Sequence, residues 1–203
     1  MIAIVDYNMG NLGSIKNMLR KLGFDAEVTA DAARITAASK LILPGVGSFD
    51  AGMHNLQASG LRPVLEERVV AVGVPMLGIC LGMQLMTDRS AEGKLPGLGW
   101  IAGEALRFEP GKAALKVPHM GWNHVTRRRP SPLTDELPDD SRFYFVHSYR
   151  VMCRDDGDVL LSTKYGIDFH SAFHKGNVWG VQFHPEKSHR FGMQLLRNFA
   201  ERC

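Results

Sequence analysis

The sequence is poor in the features that would commit it to an extracellular, metal-bound or membrane setting. Its three cysteines, Cys80, Cys153 and Cys203, form no disulfide framework and have no metal-ligand spacing, which suits a reducing compartment. Charge of either sign is not in excess: 24 Lys and Arg against 21 Asp and Glu leave +3, too balanced to argue for nucleic acid. The one basic run, Arg127-Arg128-Arg129, stands before Pro130-Ser131-Pro132 and reads as a solvated loop. The uncharged run Val69 to Met83 falls short of the roughly 20 residues of a membrane span and is broken by Pro75 and three glycines. Repeats and low-complexity tracts are lacking too. The first residues, Ile2-Ala3-Ile4-Val5, enter a strand at once and leave no room for a signal peptide. A cytoplasmic protein is expected, with no membrane or nucleic-acid partner.

What is present is material for an ordinary core: 45% hydrophobic residues in 203. The first ninety residues alternate apolar runs of strand length with helical spacing. Met1 to Asp6 reads as a strand, Leu12, Ile15, Leu19 and Leu22 as a helix stopped by Gly23, and Phe24 to Val28 as a second strand. Leu41-Ile42-Leu43 is a third strand, running into Pro44-Gly45-Val46-Gly47, with Ser48 or Asp50 to cap a helix through Met53 and Leu56. A helical piece over Leu61 to Val70 leads to a fourth strand at Val74 to Ile79. Such alternation predicts a parallel sheet covered on both faces. After Arg89 the pieces become short strands, at Ile101–Phe108, Ala113–Val117, Asn123–Thr126, Arg142–Tyr149, Val159–Thr163, Phe169–His174 and Val178–Phe183. Lys175-Gly176-Asn177 suits a hairpin, and a final helix starts at Ser188. This half reads as mixed or antiparallel sheet extending the same core. No segment between Arg89 and Gly99 has the length of a linker, so residues 1–203 are expected to form one α/β domain.

Cys80 stands where an apolar strand gives way to the helix-forming Leu81-Gly82-Met83-Gln84-Leu85-Met86, with Gly78 and Gly82 on either side. A lone cysteine in an apolar run is most often core. The paired glycines change that reading, because a nucleophile on a sharp strand-to-helix turn needs small neighbours two residues away. A thiol at a helix N-terminus also gains thiolate character from the helix dipole. Among eight histidines, His184 has the best setting for a base: it ends the strand Val178 to Phe183, Pro185 fixes the turn, and Glu186 can reach back to the ring. The other seven, His119 and His147 among them, have no comparable setting. The turn Pro44-Gly45-Val46-Gly47 allows backbone N–H groups to face a ligand.

Gly78-Ile79-Cys80-Leu81-Gly82-Met83-Gln84 together with Phe183-His184-Pro185-Glu186 resembles the class I (triad-type) glutamine amidotransferases. More narrowly, Asp6 to Leu12, Pro44 to Gly47, Pro118 to Asn123, Tyr144 to Tyr149 and His184 to Ser188 look like the glutaminase subunits of imidazole glycerol phosphate synthases. The likeness spans essentially the whole chain. It implies a flavodoxin-like, three-layer fold with helices on both faces of a mostly parallel central sheet, and hydrolysis of L-glutamine through a cysteinyl thioester. By position, Cys80 would be the nucleophile, His184 the proton shuttle and Glu186 its orienter. Val46 and Leu81 would supply oxyanion N–H groups; Gly47, Gln84, Glu92, Ser148 and Tyr149 would hold the substrate's amino-acid end. No cofactor or metal is implied. The implied partner is a (β/α)8 cyclase subunit forming a heterodimer, docked at Asn11, Met120 and Trp122, the last inside a Gly-Trp-Asn turn. The ammonia would serve synthesis of imidazole glycerol phosphate and an aminoimidazole carboxamide ribotide. A glutaminase of the pyridoxal phosphate or guanylate type would share the triad but should lack Pro118-His119-Met120-Gly121-Trp122-Asn123. A flavodoxin-like binding module would need no nucleophile at all.

Overall fold

Runs of residues apolar on both sides of the pleat build the centre of the molecule, as expected for strands covered on both faces. The computed structural model describes residues 1–109 and 115–203. The N-terminal half runs β1 (Ile2–Val5), α1 (Leu12–Lys21), β2 (Ala26–Thr29), α2 (Ala32–Ala37), β3 (Lys40–Gly45), α3 (Phe49–Ala58), α4 (Arg62–Glu66), β4 (Met76–Cys80) and α5 (Leu81–Leu85). The C-terminal half follows as β5 (Arg89–Ser90), β6 (Gly103–Arg107), β7 (His119–His124), β8 (Thr126–Arg127), β9 (Arg142–His147), β10 (Tyr149–Cys153), β11 (Val159–Tyr165), β12 (Ile167–Lys175), β13 (Val178–Val181) and α6 (His189–Arg202). Strands β2-β1-β3-β4-β13 lie side by side and parallel. Ala3 and Val5 of β1 pack into a cluster with residues of α2, α3 and α4; Ile2 and Ile4 pack into another with residues of α1 and α6. The three layers follow from this alternation.

The sheet continues antiparallel through β12, β10 and β6, while β7 and β9 pair in a small separate sheet. β13 is therefore the seam. It returns from the C-terminal half to lie against β4, with Gly180 opposite Gly78 and Val181 opposite Ile79. This long-range pairing brings the end of β13 beside the end of β4, and the hairpin expected at Lys175-Gly176-Asn177 turns the chain into it.

The elements differ from the sequence reading in ways that have local causes. Residues 119–124 form β7 rather than a Gly-Trp-Asn turn, with side chains alternating inward and outward against β9. The strand expected over Asn123–Thr126 is consequently split between β7 and β8. Arg142–Tyr149 likewise breaks at Ser148, so that Tyr149 opens β10 and pairs with Arg107 of β6. The helix expected over Leu61–Val70 closes in a π-helical turn at Glu67–Ala71, where the Val72 N–H bonds to Glu67 O. The strand expected over Ala113–Val117 begins outside the described residues, and Leu115 to Val117 are not in a strand. Ser48 occupies the N-cap position of α3 without a side-chain cap; the Phe49 N–H bonds instead to the Glu92 carboxylate, 2.8 Å away. Asp50 accepts from Lys94 and Leu95 N–H groups, tying α3 to that same loop.

Candidate active site

Cys80 closes β4 in a backbone conformation that L-residues rarely adopt, φ 55° and ψ −110°, and Leu81 starts α5 directly after it. A strained turn of this kind persists only where its surroundings enforce it. The glycines show how tight they are. A Cβ on Gly82 would stand 1.8 Å from Leu43 O, and one on Gly78 would stand 2.8 Å from Met83 N. Gly45 is as confined, since a Cβ there would meet the Tyr7 hydroxyl at 2.5 Å. That buried hydroxyl donates to Pro44 O at 2.6 Å, so the loop after β1 holds the turn after β3. Burial and the neighbouring Cys80 push the Tyr7 hydroxyl's pKa above its usual range, so it stays a donor.

His184 follows β13, and its backbone N–H bonds to Tyr144 O of β9. Ser188, where the final helix is expected to start, is the N-cap residue of α6, and its side chain clamps this corner: the hydroxyl donates to His184 O at 2.6 Å and accepts from Tyr144 N at 3.0 Å. His184 Nδ1 lies 2.8 Å from Glu186 Oε1, with both side chains almost wholly buried. Among the described residues His184 Nε2 has no conventional hydrogen-bond partner, although the soft Cys80 thiol is near enough to act on the ring's ionisation. Burial alone lowers the His184 pKa. Hydrogen bonding and charge from Cys80 and Glu186 outweigh that and raise it to about 10. Its two neighbours thus favour the protonated ring.

One cavity of about 330 Å³ gathers Val46, Gly47, Cys80, Leu81, Gln84, Glu92, Ser148, Tyr149 and His184. Every residue that the sequence suggested for the nucleophile, base, oxyanion and substrate-holding roles lines it, except Glu186, which stands behind His184. Asn11, Met120 and Trp122 lie outside it and are exposed, Met120 at 62% and Trp122 at 43%. Trp122 stacks on His189 with parallel rings 5.4 Å apart, beside Arg142.

The structure adds residues to which the motifs assign no role. Gln182, fully buried, donates from Nε2 toward Cys80 Sγ at 3.8 Å and accepts from Gln84 Nε2 at 3.0 Å. Gln84 Nε2 also donates to Tyr149 O at 3.1 Å. Gln182 was reachable in the sequence only as the residue two before His184. His147 lines the cavity and meets His119 at 3.0 Å. That contact joins two strands, and no spacing along the chain announces it.

Residues 3–203 match the family model described as "Glutamine amidotransferase class-I". The chain is 54% identical, over the full length of both proteins, to "Imidazole glycerol phosphate synthase subunit HisH 2" of Methanococcus maripaludis. It is 50% identical to the protein of the same name from Pseudomonas aeruginosa, across 99% of each chain. Among solved structures, PurLQS from Thermotoga maritima superposes with a TM-score of 0.73 at 18% identity, covering 98% of this chain and 96% of that one; this shows a shared fold. The chain belongs to the class-I glutamine amidotransferases, among the HisH subunits of imidazole glycerol phosphate synthase.

Proposed function

We propose that the chain is the glutaminase subunit of an imidazole glycerol phosphate synthase, working through Cys80, His184 and Glu186. The observation that carries this reading is the meeting of Cys80, on its strained turn, with the buried His184–Glu186 pair in one cavity. Cys80 Sγ attacks the side-chain amide carbon of glutamine. The S–C bond forms and the carbonyl oxygen takes up negative charge. The Leu81 N–H, first of α5 and without a partner inside the helix, and the Val46 N–H stabilise that oxyanion. His184 gives its proton to the departing nitrogen, the C–N bond breaks, and ammonia leaves a thioester. Water then attacks the thioester, His184 takes its proton, and glutamate is released with the thiolate restored. Glu186 fixes the ring through Nδ1, leaving Nε2 for the chemistry.

Gln84 has its amide nitrogen engaged by Gln182 and Tyr149, so its oxygen is the atom that can accept from the ammonium of glutamine. Glu92 has one carboxylate oxygen bonded to Phe49 N; the other, without a hydrogen-bond partner among the described residues, can take the same ammonium. The partner is a (β/α)8 cyclase subunit that receives the ammonia. Its docking face takes in Asn11, Met120 and Trp122. An aromatic anchor flanked by Arg142 and Arg190 around a concavity of about 480 Å³ supports this, since exposed Trp and Arg are enriched at interfaces.

The test is steady-state turnover of the complex with each nitrogen source. Cys80→Ala should lose glutamine-dependent synthesis and retain synthesis from added ammonia. His184→Ala should lose glutaminase nearly as completely, and Glu186→Gln less, because an orienting group acts through another. Glutamine-dependent turnover by Cys80→Ala would remove the thioester mechanism.

A further inference from the structure

β7 and β9 place His119 directly opposite His147. His147 Nδ1 lies 2.7 Å from Tyr149 O, and a carbonyl oxygen only accepts, so Nδ1 carries the hydrogen and Nε2 is an acceptor. His119 Nδ1, 3.0 Å from that Nε2, must then donate. His119 Nε2 is left to accept, and Asn123 Nδ2 stands 3.2 Å from it as a donor. Every hydrogen in the chain Asn123–His119–His147–Tyr149 is fixed by its neighbours. The protein also keeps both rings uncharged. Stacking of His119 between Phe145 and Tyr165, with Phe108 and Phe169 edge-on, shuts out water. Burial lowers the His119 pKa to about 4 and the His147 pKa to about 3.

This chain ends on the carbonyl that also accepts from Gln84, and Gln84 continues through Gln182 to the Cys80 sulfur. Its other end lies on the strand whose outward residues are Met120 and Trp122. We propose that His119 and His147 are positioning residues for glutamine, setting the Tyr149 carbonyl and with it the Gln84 amide in the pocket. The proposal rests on the reading of that cavity as the glutamine site.

The test measures KM and kcat for glutamine in the complex with the cyclase. His119→Phe keeps the stacked ring and removes the donor to His147. KM should rise about 3- to 10-fold, the scale of one lost neutral hydrogen bond, with kcat changed less. His119→Asn, which can present an N–H near the place of Nδ1, should recover most of the loss. His147→Asn, which keeps a donor for Tyr149 O, should be milder than His147→Leu. Wild-type KM in both His119→Phe and His147→Leu would overturn the proposal. So would equal impairment of the Asn variants and their apolar counterparts, which would reduce the pair to packing. If His147→Leu does not fold, the two His119 variants decide. Absence of saturable glutamine hydrolysis in the wild-type complex would instead remove the underlying reading.

Discussion

At the scale of single residues, the reactive groups are legible where their partners are close in sequence. The two glycines flank Cys80 within two positions, and Glu186 lies two residues from His184, so both arrangements can be read from the chain alone. Gln182 and the His119–His147 pair escape such a reading. Their contacts join the residue just after β13 to α5 and β7 to β9, across 98 and 28 positions respectively. The state of His184 yields a pH dependence. Its pKa is raised from 6.5 to about 10, so the protonated ring that the proposed mechanism assigns to the departing nitrogen is present through neutral pH and is lost as pH rises through that value. kcat/KM for glutamine in the complex, which reports the free enzyme's ionisations, should hold to about pH 9 and then fall. A fall centred near 6.5 would mean that the ring is not held as the imidazolium.

At the scale of elements, strands buried on both faces are easily read, and β1, β3 and β4 fall where apolar runs lie. β7 is harder, because His119-Met120-Gly121-Trp122-Asn123-His124 has turn-forming residues, and its apolar Met120 and Trp122 face outward while His119 faces the interior. It is a strand because β9 supplies the partner, an override that local propensity cannot foresee. The cap of α3 has a similar origin, coming from Glu92 rather than the adjacent Ser48. The turn after β3 depends on another distant contact, the Tyr7 hydroxyl on Pro44 O. Tyr7→Phe keeps the ring and removes that donor within a fully buried site. It should lower unfolding stability by about 1–2 kcal/mol, read as a lower urea midpoint with unchanged slope. An unaltered midpoint would show that the bond contributes nothing to holding the turn.

At the scale of the whole molecule, Gly45 is pinned by Tyr7 and Leu81, whereas Val46 is 46% exposed and Gly47 takes a φ of 113°. A peptide between a fixed residue and a free one can present its N–H in either of two directions. The isolated chain is therefore expected to bind glutamine yet hydrolyse it about 10²–10³-fold more slowly than the complex carrying the nucleotide substrate, the usual cost of one missing oxyanion donor. Hydrolysis at the full rate without the cyclase would exclude such gating. The cavity has one further consequence. Its thiol is fixed at the end of β4, while Gln84 sits on α5, Glu92 on the α3 tether and Tyr149 at the start of β10, each held by its own bonds. On the proposed reading of the site both of its ends are thus rigid, and it measures its ligand like a ruler. Asparagine anchored by the same α-amino group carries its amide carbon one methylene short of the sulfur. A displacement of about 1 Å can cost 10²-fold in rate, so side-chain length is sensed by reach, with no group needed to repel the shorter amino acid.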